Sequence, residues 1–215
     1  MNVEHSLRVL RDRAFQESLA LGVVAILVSL VSVYYSTNYA TEKASNSVTD
    51  IIMSNTRAYD VGTLFVYGAI AAVVFSILVV FSLKLQSAPF VLKSASLLLI
   101  IRSIFVSLTH ISPYPVRAVL SSTYLSSTTF AQMFFTGDDL FFSGHVGLTY
   151  LMALLLWDTP RLRYIYLAIS IMFAAVVLLG HLHYSIDVFA AYFITYSIYI
   201  LSTRLFKRDY ERSRA

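Results

Sequence analysis

The chain has 215 residues, of which 58% are hydrophobic and 13% charged, with a mean hydropathy of +0.71; such values describe a membrane protein rather than a soluble domain. Cysteine is absent, which excludes a disulfide framework, a thiolate nucleophile and a cysteine-ligated zinc or iron site. The net charge of +4 is too small to imply a nucleic-acid partner.

At about 20 apolar residues per crossing, the length accommodates six membrane helices, and the hydropathy pattern places them in order. Arg8, Arg11 and Arg13 precede an apolar run over residues 14–35. This run is longer than the ~7–15-residue core of a signal peptide and lacks a clear cleavage site, so it reads as a retained signal anchor. A polar loop of mixed charge spans 36–60, and a second helix is expected over 62–83. Lys84 to Lys93 makes a short basic turn in which Pro89 opens the third helix, 89–108. Lys93 and Arg102 interrupt that helix, and Arg102, short of the far surface, must face protein or water.

A proline-broken turn, Thr109-His-Ile-Ser-Pro-Tyr-Pro115, and a Ser/Thr-rich loop at 121–129 follow. The fourth helix is expected over 141–157, with Asp158 to Arg163 as its exit loop, the fifth over 164–180 and the sixth over 184–201. Arg204, Lys207, Arg208, Arg212 and Arg214 then form a basic tail. Alternating the sides puts twelve of the sixteen Lys and Arg with the N-terminus, the Lys84 turn, the Arg161 loop and the C-terminus. Lys43, Arg57, Arg102 and Arg117 fall on the other side. The asymmetry predicts an all-α bundle of six transmembrane helices with both termini cytoplasmic.

Two stretches carry chemistry. Thr136-Gly-Asp-Asp-Leu-Phe-Phe-Ser-Gly-His145 sets two carboxylates and an imidazole at the start of the fourth helix. Thirty-eight positions on, His183-Tyr-Ser-Ile-Asp187 sets an imidazole and a carboxylate four residues apart, a spacing that puts both on one face of a helix. On the topology above, His145, His183 and Asp187 share the outer surface with Arg102. Ionisable groups at the ends of apolar spans are functional by default. Imidazoles suit proton transfer and nucleophilic attack, and a guanidinium suits phosphate. Asp187 within reach of one His183 nitrogen would fix the tautomer and leave the other nitrogen as the nucleophile. His145 could then protonate a departing alkoxide, with N–H groups around Ser143 and Gly144 cradling phosphoryl oxygens. Asp139 is either a substrate contact or a helix-start carboxylate, Asp138 a solvated charge, and His181 faces away from His183 by spacing.

These residues resemble the sphingomyelin synthase-like branch of the type 2 phosphatidic acid phosphatase (lipid phosphatase/phosphotransferase) superfamily. Asp139 to His145 and His183 to Asp187 carry the likeness. Arg102, Thr109 and Pro113 to Pro115 extend it backwards, as does Asp158-Thr-Pro-Arg161 after the fourth helix, so that residues 95–200 are covered. The chain departs from that branch at Gly137-Asp138-Asp139, where Cys-Gly-Asp is frequent, at the single Arg102, where a basic pair is frequent, and at Leu182, where Glu is frequent. Val177 stands where the wider phosphatase pattern has an Arg, which points to the synthase-like branch.

The resemblance implies division into an N-terminal part (1–94, two helices and the start of the third), a catalytic core (95–203) and a cytoplasmic tail (204–215). It implies a phosphohistidine on His183, oriented by Asp187, with His145 as general acid and then base. Arg102, Asp139, Ser143, Gly144 and Tyr184 would contact substrate, and no cofactor or metal would be needed. The implied reaction moves a phosphocholine or phosphoethanolamine head group from a membrane phospholipid to ceramide or diacylglycerol, or releases phosphate to water. It would run on the non-cytoplasmic face of a bacterial cytoplasmic membrane or of the Golgi or plasma membrane. Two other classes fit the residues alone: a metal-dependent hydrolase with His145, His183 and Asp187 as ligands, and a non-catalytic lipid-binding bundle.

Overall fold

The computed structural model describes residues 9–118 and 140–214. The Ser/Thr-rich loop at 121–129, Asp138 and Asp139 lie outside them. Among the described residues there is no strand. The helices are α1 (Arg13–Lys43), α2 (Gly62–Leu83), α3 (Ala88–Leu108), α4 (Gly144–Leu155), α5 (Pro160–Leu179), α6 (Ser185–Leu205) and the short α7 (Lys207–Arg214).

Five of them, α1, α2, α3 with its preceding turn, α5 and α6, are long and apolar enough to cross a membrane. The expected fourth span is the exception. In place of a helix over 141–157, α4 has 12 residues and is about 18 Å long at 1.5 Å per residue, short of a ~30 Å hydrocarbon core. Its surroundings explain how a short helix is tolerated. Val146, Gly147, Thr149 and Leu151 to Leu154 are all buried, so protein rather than lipid surrounds it. Gly147 permits the close approach of α6, since a Cβ there would lie 3.0 Å from the Thr195 hydroxyl oxygen. The Ser170 hydroxyl of α5 donates to the Val146 carbonyl at 3.1 Å. Phe142, Val146, Leu98, Phe173 and Val177 meet in one apolar core around α4.

The other helices present apolar residues outward, as lipid-facing helices do. Leu21, Val24, Leu27, Val28 and Val31 of α1 and Leu64, Val73, Ile77 and Leu78 of α2 are exposed. α1 lies against α3, and Gly22 allows it: a Cβ there would sit 3.1 Å from that of Leu92. The helix also outruns its apolar segment, continuing through residues 36–43 that the composition reads as loop. Ser36, Thr37 and Ala40 are buried on this added stretch, so tertiary contact extends the helix where hydropathy has ended.

Polar contacts gather at the two ends of the bundle. At one end, the Lys93 ammonium donates to Asp209 and to the Ser18 hydroxyl, both at 2.7 Å, while Ser18 donates to Asp209 at 2.6 Å. Arg212 pairs with Asp12 at 2.8 Å and Arg214 with Asp158. The basic tail is therefore the helix α7 folded back onto α3 and the 84–87 turn, and Lys93 is neutralised there. At the other end, the segment 44–61 lies over the connections at 109–118 and 180–184. Ser45 donates its N–H and hydroxyl to the His110 carbonyl at 2.9 and 2.7 Å, and Tyr59 donates its N–H to Leu179 at 2.8 Å.

Candidate active site

The chain enters α4 through an extended turn with an unusual backbone. Phe141 has φ 144°, a region that residues other than glycine occupy at a cost of roughly 1–3 kcal/mol and that clusters at functional sites. The Phe141 ring stacks on Phe105 at 5.1 Å between centroids. Ser143 is the N-cap of α4, yet its hydroxyl makes no capping bond; it is fully buried and has no hydrogen-bond partner among the described residues. An N-cap serine ordinarily spends its hydroxyl on the first turn, and a buried orphan polar atom is a cost that calls for an explanation.

Arg102 reaches this turn from α3. It is 5% exposed, and its Nε donates to the Phe142 carbonyl at 3.1 Å. Gly144 makes room for it, since a Cβ there would stand 3.3 Å from Nε. Arg102 thus faces protein, as its place in an apolar span requires. His145 is half-buried, stacked on Phe65 at 4.2 Å and flanked by Phe173 at 5.3 Å. Aromatic groups of α2 and α5 therefore set the plane of its ring.

His183 and Asp187 meet, but not along a helix face. α6 begins at Ser185 with Tyr184 as N-cap, so His183 lies just before the helix, and the pair closes across the cap. The Nδ1 of His183 is 3.3 Å from Asp187 Oδ2, and both side chains are buried. The same oxygen accepts the Tyr184 N–H at 3.1 Å. A carboxylate facing Nδ1 puts the proton there and leaves the lone pair on Nε2. The Ser143 N–H donates to the Asp187 carbonyl at 3.1 Å, which joins the turn before α4 to the start of α6. Ser143, Gly144, Arg102, His183 and Asp187 are thereby linked at one end of the bundle. Asp139 lies outside the described residues. Among these, no group of three or more His, Cys, Asp or Glu is arranged to hold a metal ion.

Tyr184, expected beside substrate, is buried beneath the loops at this end of the bundle: its hydroxyl donates to the Ser112 carbonyl at 2.8 Å and accepts the Val48 N–H at 3.3 Å. His181 is also a tie between loops. Its Nδ1 faces the Val116 carbonyl at 2.7 Å and its Nε2 the Thr56 hydroxyl at 3.1 Å, and its φ of 52° turns the chain between α5 and His183. At the same bend, a Cβ on Gly180 would lie 2.4 Å from a Val61 methyl.

Sequence reasoning passed over Asp50, treating it as part of a polar loop. It is 7% exposed. Oδ1 accepts from the N–H groups of Ile52 and Met53 at 2.9 and 3.1 Å. Oδ2 accepts from the N–H and hydroxyl of Ser185, both at 2.7 Å. An acidic residue ahead of Ile51-Ile-Met53 hints at the local turn, but nothing in the chain marks a partner 135 residues away. Burial alone would raise the Asp50 pKa; the bonds from Met53, Ser185 and Ile52 outweigh it and hold the carboxyl below its ordinary 3.8. With the folded value below the unfolded one, the charged carboxylate stabilises the fold fully above pH 3.8, and this contribution is lost as pH falls through the lower folded value. Thermal unfolding of the Asp50→Asn variant should therefore fall below that of the parent near pH 6 and approach it in strong acid. An equal gap at both pH values would contradict this.

The fold and this site define a class: a helical multi-pass membrane protein with two imidazoles, a buried carboxylate and a buried guanidinium toward one end. Residues 137–204 match the family described as PAP2 superfamily C-terminal, a segment that contains His145, His183 and Asp187. The match supports the type 2 phosphatidic acid phosphatase superfamily, whose members are phosphatases and phosphotransferases acting on lipids, and so supports an enzyme. No curated protein and no solved structure matches the chain.

Proposed function

We propose that the protein is an integral-membrane lipid phosphotransferase of the sphingomyelin synthase-like kind. It would move a phosphocholine or phosphoethanolamine head group from a glycerophospholipid to the primary hydroxyl of ceramide or diacylglycerol. The observation that carries this reading is the anion-binding character of the turn before α4. The buried Arg102 guanidinium, the orphan Ser143 hydroxyl and the first-turn N–H groups of α4, which have no acceptor within the helix, converge where the His183–Asp187 pair is tied on. A phosphoryl group would accept from the Ser143 hydroxyl, and its charge suits both a helix N-terminus and a guanidinium.

In the first half-reaction, His183 Nε2 attacks phosphorus and a P–N bond forms as the P–O bond to the glycerol oxygen breaks. Asp187 holds the Nδ1 proton and stabilises the cationic ring. His145 gives its proton to the departing alkoxide, releasing diacylglycerol. In the second, His145 takes the proton of the acceptor hydroxyl, whose oxygen attacks phosphorus as the P–N bond breaks. Water in place of the alcohol makes the same site a lipid phosphatase or phospholipase C-type hydrolase, a reading that the family match supports equally.

The decisive experiment incubates purified protein with labelled phosphatidylcholine or phosphatidylethanolamine, with and without ceramide, and identifies the products. Head-group transfer to ceramide is expected. Activity confined to soluble phosphate esters would sink the proposal. The site is further assigned to the non-cytoplasmic face, from the distribution of Lys and Arg. A cysteine placed in the 44–61 segment and one placed after Arg208 should then react with an impermeant reagent from opposite sides of the membrane. Labelling from the same side would overturn that assignment.

A further inference from the structure

The segment 44–61, outside the family match at 137–204, grips the residues around His183. Thr56 meets His181 at 3.1 Å, Val48 donates its N–H to the Tyr184 hydroxyl at 3.3 Å, and Asp50 takes the N–H and hydroxyl of Ser185 at 2.7 Å. Of these, the Asp50 contact differs in kind. It is charged and buried, and it acts on the first residue of the helix that carries Asp187.

Every helix start leaves N–H groups without internal acceptors, and a carboxylate in the first turn ordinarily turns back to take them. In α6 that carboxylate is Asp187, which already serves Tyr184 N–H and His183 Nδ1 through one oxygen. Asp50 removes the competing donors. With Ser185 satisfied from the 44–61 segment, Asp187 stays on the imidazole. Without it, the Ser185 N–H and hydroxyl become buried donors two residues from Asp187, and the carboxylate is drawn toward them. The lone 3.3 Å contact between Asp187 and His183 is long for a charge-assisted bond and is the one that would yield.

We propose that Asp50 is a positioning residue, which by satisfying Ser185 at the start of α6 keeps the Asp187 carboxylate on the His183 ring. This rests on the reading of His183 as the nucleophile. It adds to that site a residue supplied from the N-terminal part of the chain.

The test uses the full chain, labelled with 15N at histidine and reconstituted in lipid nanodiscs. Asp50→Asn keeps the size of the side chain but puts an amide where four donors need acceptors. It should shift the His183 ring-nitrogen resonances, identified by their absence in His183→Gln, toward a mixture of tautomers. It should also lower kcat by about 10- to 100-fold, the scale of a small misplacement of reacting groups, with KM held within twofold. Thr56→Val removes another tie of the same segment, and should lower Tm while leaving the His183 resonances and kcat as in the parent. Asp50 is overturned as a positioning residue if its Asn variant leaves the resonances and kcat unchanged, or if Thr56→Val moves both to the same extent. If Asp50→Asn does not fold, Asp50→Glu, which keeps the charge but displaces the carboxylate from the Ser185 donors, is read by the same two measures. A smaller shift in both supports the proposal, and no shift in either refutes it. Movement of the His183 resonances in a protein whose parent turns over no lipid would uphold the positioning role and sink the phosphotransferase reading instead.

Discussion

Replacing His183 with alanine is expected to abolish both turnover and any covalent phospho-enzyme, whereas His145→Ala should slow turnover by roughly 10²- to 10⁴-fold, the range of general acid–base catalysis. The asymmetry follows from what holds each ring. His183 has a buried carboxylate on Nδ1, which in the proposed mechanism leaves Nε2 as the nucleophile. His145 lies between the rings of Phe65 and Phe173, and Thr149 stands one helical turn on, its hydroxyl donating back to the His145 carbonyl at 2.7 Å. The position one turn along α4 is thus Thr149 rather than a carboxylate, and the proposed mechanism gives His145 the role that cycles between charge states. A substrate whose leaving group needs no proton should still phosphorylate the His145→Ala enzyme. Trapping an acid-labile adduct and mapping it by mass spectrometry decides the matter. An adduct on His145, or full activity in His183→Ala, would reverse the assignment.

The second large effect is expected at Arg102. Losing a preorganised donor to a transition-state oxyanion costs about 10²- to 10³-fold in kcat, and Arg102→Ala should reach that range on lipid substrates. Arg102→Lys tests the reason. It preserves the charge but not the planar fork that can bind the Phe142 carbonyl through Nε while offering terminal N–H groups to phosphate. Lysine should therefore recover little of the lost kcat/KM. Arg102→Ala also strands a buried carbonyl, which costs about 1–3 kcal/mol and should show as a lower unfolding temperature. Kinetics in mixed micelles, set beside thermal unfolding, separate the two roles. Wild-type kcat/KM in Arg102→Lys would reduce Arg102 to a structural cation.

Much of this was legible in the chain. The Gly62–Leu83 helix is bounded as its hydropathy predicts, and α3 begins within a residue of the expected Pro89, because apolar runs closed by Lys or Pro leave little choice of boundary. Five membrane-length helices and the all-helical class follow from apolar length alone. His145, His183, Asp187 and Arg102 stood out because polar groups are costly in apolar surroundings and so are conspicuous in the sequence.

The rest needed three dimensions. α4 joins the two ends of the bundle, with Ser143 tied to the start of α6 and Asp158 paired with Arg214, but apolar residues are equally at home against lipid and inside a bundle, and only packing shows that protein surrounds this short helix. The His183–Asp187 spacing suited a helix face, yet their contact closes across a cap, since where a helix starts depends on which groups satisfy its first N–H donors. One of those groups is Asp50, 135 residues from Ser185. Periodicity, hydropathy and motif spacing are local measures, so they single out candidate residues for the chemistry. Which distant side chains hold those residues in place is decided when the loops meet at one end of the bundle, where each buried donor must find an acceptor.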